Sequence, residues 1–429
     1  MITSPSWRGK RYAVLGLARS GQATVAALVA SGAHVTAWDA NAAARAQVTG
    51  AELADPLSID LTGFDGVVVS PGVPINRHPI AEHARAAGVP VIGDIELFAQ
   101  ARADLPPHKV AGVTGTNGKS TTTALIEHIC RTAGVPSLAG GNIGLPILSQ
   151  DPLPEGGVYV LELSSYQIDL TRTLDCDVVV LLNITPDHLD RYDGFAGYAA
   201  SKERLFAMQS AGHAAVIGIG DAASQAIAAR LARAGRAEDV TKIAPGLCMD
   251  QSRWPALQGP HNAQNALAAI AACEALGIAR DAIGRGLETY AALPHRMQIV
   301  ATRNGVRFVN DSKATNADST APALRAFDHI HWIVGGRAKT DELDACRPGF
   351  AHVARAYTIG EAGEMFAALL ERDMPVERSG TLEAAVKSAA ANARPGETVL
   401  LSPACASFDQ FRDFEARGDA FRAAVEALG

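Results

Sequence analysis

A chain of 429 residues is long enough for about three domains of ~150 residues, each burying its own apolar core. Hydrophobic residues make up 48% of it, charged residues 19% and aromatic residues only 5%. It carries 38 lysines and arginines against 45 aspartates and glutamates, a formal net charge of −7. Because phosphate neutralisation needs a basic face, we expect no nucleic-acid partner. Any anionic ligand must be bound by hydrogen-bond donors and cations close to it, because the net charge of the chain does not attract it.

No apolar run predicts a membrane span, since the longest, residues 266–273, is far shorter than the ~20 residues required. The apolar run after the basic start ends at Arg19 and leads into a glycine turn, so we do not expect a signal peptide. Scattered cysteines without zinc spacing predict reduced thiols in a cytoplasmic protein. They are Cys130, Cys176, Cys248, Cys273, Cys346 and Cys405.

Strand and helix patterns alternate along the whole chain, which predicts α/β domains with largely parallel sheets. The first segment has predicted strands at residues 11–17, 34–39, 66–70 and 91–92, a turn at 16–21 and a helix at 22–31. The middle segment has predicted strands at 109–113, 158–163, 178–183 and 214–219 and helices at 119–133, 263–276 and 281–291. The last segment has predicted strands at 307–310, 330–334, 356–359 and 398–401. The paired prolines at 106–107 and the break at 293–296 then predict domains at 1–106, 107–293 and 294–429.

A glycine-rich segment, residues 112–121, lies between a predicted strand and a predicted helix. Glycines let backbone N–H groups surround phosphate oxygens, and the helix N-terminus adds partial positive charge. Lys119 can reach terminal phosphates, and the Ser120 hydroxyl can bind Mg²⁺. The strict P-loop spacing fails because residue 113 is valine, and a tight turn with a surface lysine is the alternative. We interpret the segment as an ATP site.

Two further polar groups follow apolar strands of the middle segment. Glu162 ends one strand, where an acid can bind a phosphate-bound Mg²⁺; the alternative is a helix cap made by Ser164 or Ser165. His188 lies in the loop after the next strand and can bind metal or orient phosphate, although a lone loop histidine is more often solvated. Because three strand ends converge on one sheet edge, we expect a phosphate-plus-Mg²⁺ site.

The N-terminal turn, residues 16–21, resembles G-x-G-x-x-G with Ala18 replacing the second glycine. Asp39 ends the following strand near the distance expected for a ribose-binding acid. The pattern fits a nucleotide diphosphate as well as NAD, and a tight turn without a ligand remains the alternative.

Three strand ends in the last segment are rich in polar and small residues: 310–316, 335–339 and 402–409. Each could be a helix cap by itself. Together, with the cations Lys313 and Lys339, they favour a second ligand face suited to a carboxylate.

Motifs at residues 115–121, 161–165, 183–190 and 293–296 resemble those of the Mur ligases. Segments 93–98, 310–315 and 401–411 are similar to the branch of that family that adds D-glutamate, and the matches extend from about residue 12 to 421. The resemblance implies an α/β fold of three domains: Rossmann-like, P-loop-type ATPase with a mostly parallel sheet, and Rossmann-like. It also implies ATP-dependent addition of D-glutamate to UDP-N-acetylmuramoyl-L-alanine through an acyl phosphate, in cytoplasmic peptidoglycan synthesis.

The family's functional residues carry over to matching positions here. The ATP-phosphate residues implied are Gly115, Thr116, Asn117, Gly118, Lys119, Ser120 and Thr121. The catalytic and metal residues implied for two Mg²⁺ ions are Lys119, Ser120, Glu162, His188 and Lys202, the last as a carbamate formed with CO₂. Asn265, Arg296 and Asp311 match nucleotide contacts, and Arg19, Ser20, Ser70 and Asn142 match contacts to the UDP substrate. The D-glutamate pocket implied contains Thr315, Lys339, Ser407, Phe408 and Phe414. Lys313, one of the two cations of the second ligand face, is counted among the substrate-binding residues.

Two departures from the family pattern affect these expectations. Asp39 is followed by Ala40 and Asn41 where some members have Thr-Arg, so uracil recognition would depend more on Arg19 and the backbone. Phe408 stands where an aliphatic residue also occurs. The alternatives are another Mur ligase or a folylpolyglutamate synthetase, an NAD-dependent oxidoreductase, and a nucleotide-gated binding protein. We expect a monomer.

Overall fold

The computed structural model describes residues 1–187, 189, 191–244, 250–338 and 340–428. The described chain forms three sheets of five, six and six strands. Two compact units contain them: Met1–Pro245 with Gln264–Leu287, and Gly246–Ala263 with Glu288–Gly429. The first unit holds the first two sheets and the second unit holds the third. The domain boundaries at 106/107 and 293/294 remain a prediction.

The first sheet is parallel throughout and has the order β3-β2-β1-β4-β5. Its strands are β1 (Arg11–Leu15), β2 (His34–Trp38), β3 (Glu52–Leu53), β4 (Gly66–Val69) and β5 (Val91–Ile92). Its helices are α1 (Arg19–Ala30), α2 (Ala42–Arg45), α3 (Ile80–Ala86) and α4 (Asp94–Ala101). The valine-rich β4, which lies between β1 and β5, is buried along its whole length, as expected for an interior strand of a parallel sheet.

The second sheet is also parallel and has the order β11-β10-β9-β6-β8-β7. Its strands are β6 (His108–Thr114), β7 (Ser137–Gly141), β8 (Gly157–Glu162), β9 (Val178–Leu181), β10 (Ala214–Gly218) and β11 (Val240–Ile243). Its helices are α5 (Lys119–Thr132), α6 (Ser165–Asp169), α7 (Gly194–Ala207), α8 (Ala222–Leu231), α9 (Pro260–Ala275) and α10 (Arg280–Thr289). Strands β9, β6 and β8 are neighbours, so their carboxyl ends share one edge.

The third sheet has the order β12-β13-β17-β14-β15-β16, with only the β12–β13 pair antiparallel. Its strands are β12 (Gln298–Arg303), β13 (Val306–Asn310), β14 (Ile330–Gly335), β15 (Val353–Ile359), β16 (Val376–Gly380) and β17 (Thr398–Leu401). Its helices are α11 (Ala317–Thr320), α12 (Gly363–Leu370), α13 (Leu382–Asn392) and α14 (Phe414–Glu426).

The predicted α/β class and every predicted strand and helix are confirmed within a few residues. Helix α1 begins at Arg19 rather than at 22, so Arg19 and Ser20 lie in its first turn. The strands that the sequence did not reveal are β3, β7, β11, β12 and β16. All five lie at or next to a sheet edge, where strands are partly exposed and lack continuous apolar runs.

The first two sheets are packed together within the first unit through α4. The ring centres of Phe98 and Tyr159 are 5.0 Å apart in an edge-on contact, and both side chains are fully buried. The carboxylate of Glu96 accepts hydrogen bonds from the backbone N–H groups of Arg172 and Thr173 at 2.7 and 2.9 Å. These contacts join α4, which follows the first sheet, to β8 and to the segment between α6 and β9 in the second sheet.

Among the described helices, none combines the length and hydropathy needed to cross a bilayer. The described cysteines, Cys130, Cys176, Cys273, Cys346 and Cys405, are buried free thiols. Cys248 lies outside the described residues.

Candidate active site

The predicted phosphate loop connects β6 to α5 at the carboxyl edge of the second sheet. Its first and last glycines, Gly115 and Gly118, have φ values of 148° and 88°, which L side chains rarely adopt. Lys119 donates hydrogen bonds from Nζ to the carbonyl oxygens of Gly115 and Thr116 at 3.0 and 2.8 Å. The lysine ammonium therefore lies within the loop. Val113 lies inside β6, before the turn, so its position does not require glycine.

Asn183, which follows β9, holds this loop from the neighbouring strand. Its backbone oxygen accepts a hydrogen bond from the Thr116 N–H, and its side-chain oxygen accepts one from the Asn117 N–H, both at 2.9 Å. The side-chain amide of Asn183 in turn donates to the Asn117 carbonyl at 3.1 Å. A loop fixed by these three bonds is organised before a ligand arrives.

Asn265 on α9 packs directly against the phosphate loop. A Cβ atom at Gly118 would overlap the Asn265 side-chain oxygen. Asn265 itself is only 5% exposed. The structure thus brings the predicted nucleotide-contacting Asn265 to the loop, although the two are far apart in sequence.

Glu162 and Ser120 form the acidic part of the site. The buried Glu162 carboxylate accepts a hydrogen bond from the Ser120 hydroxyl through Oε2. Its other oxygen accepts one from the Asn142 side-chain amide at 3.0 Å. Ser164 makes the cap of α6 in a capping box with Gln167, so the cap and the acid are separate features of this strand end.

Lys202 on α7 reaches the same loop from the other side. Its side chain is 1% exposed, and Nζ donates a hydrogen bond to the Gly115 carbonyl at 2.9 Å. Burial, reinforced by repulsion from Lys119, holds the pKa of the Lys202 amine well below its ordinary value. Nζ also lies 4.7 Å from the centre of the Tyr198 ring. The surroundings of Lys202, buried beside a second lysine, thus differ from those of a solvated helical lysine.

Within the described ranges, no group of three or more histidine, cysteine, aspartate or glutamate side chains could hold a metal by itself. His188, the predicted ligand of a second ion, lies outside the described residues. The oxygen donors present, Glu162 and Ser120, suit Mg²⁺, which typically uses one or two carboxylates together with ligand phosphates.

The predicted UDP-substrate residues Arg19, Ser20 and Ser70 lie at the carboxyl edge of the first sheet. Ser70 donates a hydrogen bond from Oγ to the Gly16 carbonyl at 2.9 Å, and Gly16 has a φ of 92°. Arg19 is exposed and Ser20 half-buried in the first turn of α1, which has no side-chain cap. These three residues and the turn therefore form one surface.

Asp39 follows β2, the strand next to β1, and Arg45 ends the short helix α2 that comes after it. Asp39 accepts a hydrogen bond from the Leu17 N–H at 2.6 Å, so the acid supports the turn. Arg45 on α2 donates to the carbonyls of Asp39 and Ala40 at 2.6 and 3.0 Å, and its guanidinium lies 4.3 Å from the Trp38 ring centre. Sequence reasoning missed this cation because it comes six residues after the acid rather than two.

The second unit has its own polar centre at the carboxyl ends of β13, β17 and β14, as the sequence predicted. Asp311 accepts hydrogen bonds from the Ser402 hydroxyl at 2.8 Å and from the Met297 N–H at 3.2 Å. Burial raises the pKa of Asp311 to about 7, while Arg296 and Arg417 oppose that rise. Arg296, predicted to contact nucleotide, is therefore close enough to act on Asp311 electrostatically.

Arg417 on α14 joins these strand ends and was not singled out from the sequence. It is 1% exposed and donates to the Ser312 hydroxyl and carbonyl at 2.9 and 2.8 Å. It also donates to the carbonyls of Cys405 and Ala406 at 3.0 and 3.3 Å. Burial lowers the pKa of this guanidinium to about 10. An arginine inside an amphipathic helix has no local signal, because only the tertiary fold brings it to the strand ends.

Among the residues predicted to bind the amino acid, the structure brings Lys313 into contact with Phe414, the first residue of α14. The Lys313 ammonium lies 3.8 Å from the Phe414 ring centre. Ser407 is buried at 2% exposure and Thr315 half-buried, whereas Phe408 is 64% exposed. Lys339 lies outside the described residues.

Known proteins resemble this chain along its whole length. Residues 113–245 match the Mur ligase middle domain and residues 295–405 the Mur ligase glutamate ligase domain. The chain is 65% identical to the UDP-N-acetylmuramoylalanine–D-glutamate ligase of Novosphingobium aromaticivorans, over 100% of this chain and 97% of the relative. It is 64% identical to that of Sphingopyxis alaskensis, over 100% of both chains.

Solved structures share the fold at lower identity. UDP-N-acetylmuramate-alanine ligase from Thermotoga maritima aligns with a TM-score of 0.61 at 15% identity, over 98% of this chain and 100% of that one. E. coli FolC in complex with DHPP and ADP aligns with a TM-score of 0.57 at 19% identity, over 79% of this chain and 94% of that one.

Proposed function

This chain belongs to the Mur ligase family, and from that membership we propose that it joins D-glutamate to UDP-N-acetylmuramoyl-L-alanine at the expense of ATP. The observation that carries the proposal is the convergence of Lys119, the Ser120–Glu162 pair and Lys202 on one phosphate loop. The names of the full-length relatives direct the choice of substrates. Such a reaction belongs to cytoplasmic peptidoglycan synthesis.

The chemistry requires activation because a carboxylate is a poor electrophile. The alanyl carboxylate attacks the γ-phosphorus of ATP, ADP leaves, and an acyl phosphate forms. The amine of D-glutamate then attacks the acyl carbon, and phosphate leaves from the tetrahedral intermediate. Crowded negative charge is the principal obstacle in both steps, so positioned donors and cations are the protein's main contribution.

The phosphate loop meets this requirement from its own residues. Residues 115–121 hold the ATP phosphates, with the backbone N–H groups at the start of α5 as donors, because those of Thr116 and Asn117 already donate to Asn183. Lys119 neutralises charge on the terminal phosphates. Asn265 packs on the loop from α9, where it orients the nucleotide. We assign Arg296 and Asp311 in the second unit to the nucleotide as well.

Glu162 and Ser120 fit a magnesium site, since a buried carboxylate and a hydroxyl are already in contact there. Mg²⁺ bound there would neutralise phosphate charge during transfer. We propose two ions in all, with His188 and a carbamate on Lys202 as the ligands of the second.

Carbamylation of Lys202 is supported by its burial and its lowered pKa. A neutral amine attacks CO₂, a nitrogen–carbon bond forms, and the amine loses a proton to give an anionic carbamate. The change from cation to anion would give the loop a carboxylate-like ligand in addition to Glu162.

The remaining substrate groups are assigned to the strand ends described above. Arg19, Ser20, Ser70 and Asn142 would hold the UDP-linked substrate. In the second unit, Lys313, Thr315, Ser407, Phe408 and Phe414, together with Lys339, would hold D-glutamate. A cation beside the pocket suits a carboxylate of this amino acid.

Phosphate release distinguishes this function from its rivals. The assay contains UDP-N-acetylmuramoyl-L-alanine, ATP, Mg²⁺ and one amino acid from a panel of D- and L-isomers, including L-glutamate and diaminopimelate. We expect turnover with D-glutamate. Turnover with another amino acid and none with D-glutamate would contradict the assignment, and ATP binding without phosphate release would favour a binding protein.

A further inference from the structure

Arg191 lies where the loops of the first two sheets meet inside the first unit. It belongs to the loop between β9 and α7, and its carbonyl accepts a hydrogen bond from the Asn76 side-chain amide at 2.9 Å. Asn76 belongs to the loop after β4, which begins with Ser70. Arg191 is thereby joined to the loop that carries Ser70, one of the residues assigned to the UDP substrate.

The Arg191 guanidinium is buried without the partners that such a cation normally has. The residue is 8% exposed, and its Nη2 atom is fully buried with no hydrogen-bond acceptor. Across the part of the chain that the structure describes, no carboxylate forms an ion pair with it. Its principal contact is the Tyr166 ring, whose centre lies 3.8 Å from Cζ. A cation–π contact offsets only part of the cost of removing a guanidinium from water.

Arg417 shows how this chain satisfies a structural buried arginine. That guanidinium is similarly buried, and it donates to the Ser312 hydroxyl and to three backbone carbonyls. Arg191 stacks on Tyr166, but its Nη2 donor has no acceptor. The contrast indicates that the missing acceptor of Arg191 comes from a ligand.

A series of aromatic contacts links Arg191 to the phosphate loop. Tyr166 stacks on Tyr192 at 6.4 Å, Tyr192 contacts Tyr198 at 5.6 Å, and the Tyr198 hydroxyl lies 3.2 Å from the Thr116 hydroxyl. These contacts link Arg191 to the loop only through other side chains, whereas its direct contacts are with Tyr166 and with Asn76 of the loop that begins at Ser70.

We propose that Arg191 binds an anionic oxygen of the UDP-linked substrate, an inference that rests on the function proposed above. The planar guanidinium fork suits both sources of such an oxygen, the diphosphate and the alanyl carboxylate. Stacking on Tyr166 holds the plane of the fork in place before the substrate binds. Arg191 is thus a binding residue that positions the substrate beside Glu162.

The test compares Arg191→Met with Arg191→Lys in the full-length enzyme. Methionine fills the buried volume without a charge, and lysine keeps a cation but loses the fork. We expect at least a tenfold higher KM for UDP-N-acetylmuramoyl-L-alanine in Arg191→Met, with the KM values for ATP and D-glutamate unchanged. Arg191→Lys should lie between this variant and the wild type. The matched control is Arg11→Met, since Arg11 also lies over a ring, that of Phe64 at 4.3 Å, but at the start of β1.

Calorimetric binding separates the two sources of the anionic oxygen. If Arg191→Met weakens the binding of UDP-N-acetylglucosamine as much as the binding of the full substrate, the contact is to the diphosphate. If only the binding of the full substrate is weakened, the contact is to the carboxylate. Unchanged affinity for both ligands in Arg191→Met would overturn the inference.

The change in melting temperature on mutation, measured without ligand, distinguishes a ligand-binding arginine from a structural one. Removing a buried cation with an open donor should leave Tm equal or raise it, whereas loss of a structural bond would lower Tm. A lowered Tm together with unchanged KM would also overturn the inference. Wild-type turnover with D-glutamate tests the proposed function separately, so failure of one remains distinct from failure of the other.

Discussion

Lys202 donates a hydrogen bond from Nζ to the Gly115 carbonyl at 2.9 Å, which joins α7 to the first glycine of the phosphate loop. Lys119 donates to the same carbonyl at 3.0 Å. Two lysines on one carbonyl repel each other, and this repulsion adds to burial in lowering the pKa of Lys202. Conversion of one cation to an anionic carbamate would relieve that repulsion.

Replacing Lys202 by alanine should therefore nearly abolish ligase activity, with kcat falling by about 10²- to 10³-fold, the cost typical of losing one electrostatic contact to a reacting group. Lys242→Ala is the matched control, because Lys242 is exposed in the same unit. Carbon NMR of enzyme equilibrated with ¹³C-bicarbonate should show a carbamate in the wild type and none in Lys202→Ala. Full activity in Lys202→Ala would contradict this role.

Glu162→Gln should raise the Mg²⁺ concentration needed for half-maximal activity. The amide keeps the shape of the side chain and its contact with Ser120 but removes the negative charge that binds the ion. The measurement is a Mg²⁺ titration of phosphate release at saturating ATP. Glu155→Gln, at an exposed position, should leave the titration unchanged. An unaltered Mg²⁺ requirement in Glu162→Gln would exclude Glu162 as a ligand.

Gly118→Ala should weaken ATP binding more than backbone strain alone explains. Gly118 and Gly134 have similar φ values of 88° and 76°, so alanine meets comparable strain of about 1 kcal/mol at either position. Only at Gly118 would the new Cβ overlap Asn265; nothing lies within 4 Å at Gly134. We expect a higher Kd for ATP in Gly118→Ala and an unchanged one in Gly134→Ala, measured by calorimetry. Equal effects would show that Asn265 does not confine the loop.

Asp311→Asn should change how stability depends on pH. Burial raises the pKa of Asp311 to about 7 in the folded state, whereas an unfolded aspartate titrates near ~4. Between these values the folded protein holds a proton that the unfolded chain has lost, so this group makes stability fall as pH rises through that window, by at most about 1.4 kcal/mol per pH unit. The fall ends above the folded pKa, where both states are ionised.

Denaturant unfolding of wild type and Asp311→Asn between pH 4 and 8 tests this sign. The variant should lose less stability than the wild type as pH rises through the window, while the exposed Asp341→Asn should follow the wild type. A steeper fall in Asp311→Asn would mean that the carboxylate is stabilised as an anion in the folded protein.

The strand ends of the second sheet show how much of the candidate active site the sequence predicted. Apolar runs predicted β6, β8 and β9, and polar residues after them indicated a shared edge; the sheet order confirms that these strands are neighbours. The short edge strands β3 and β16 escaped prediction because partly exposed strands lack a continuous apolar run. The family resemblance supplied Lys202, which composition and spacing alone would have left as a surface lysine.

By itself the sequence determined the alternation of strands and helices and the chemistry offered at each strand end, because apolar periodicity and glycine positions act locally. Tertiary structure alone decided the direction of the pKa shifts of Lys202 and Asp311 and the partners of Arg191 and Arg417. Burial and hydrogen-bond geometry depend on chain segments far apart in sequence, and they determine which charges are compensated. Among these four residues, Arg191 alone has a buried side-chain donor without an acceptor among the residues that the structure describes.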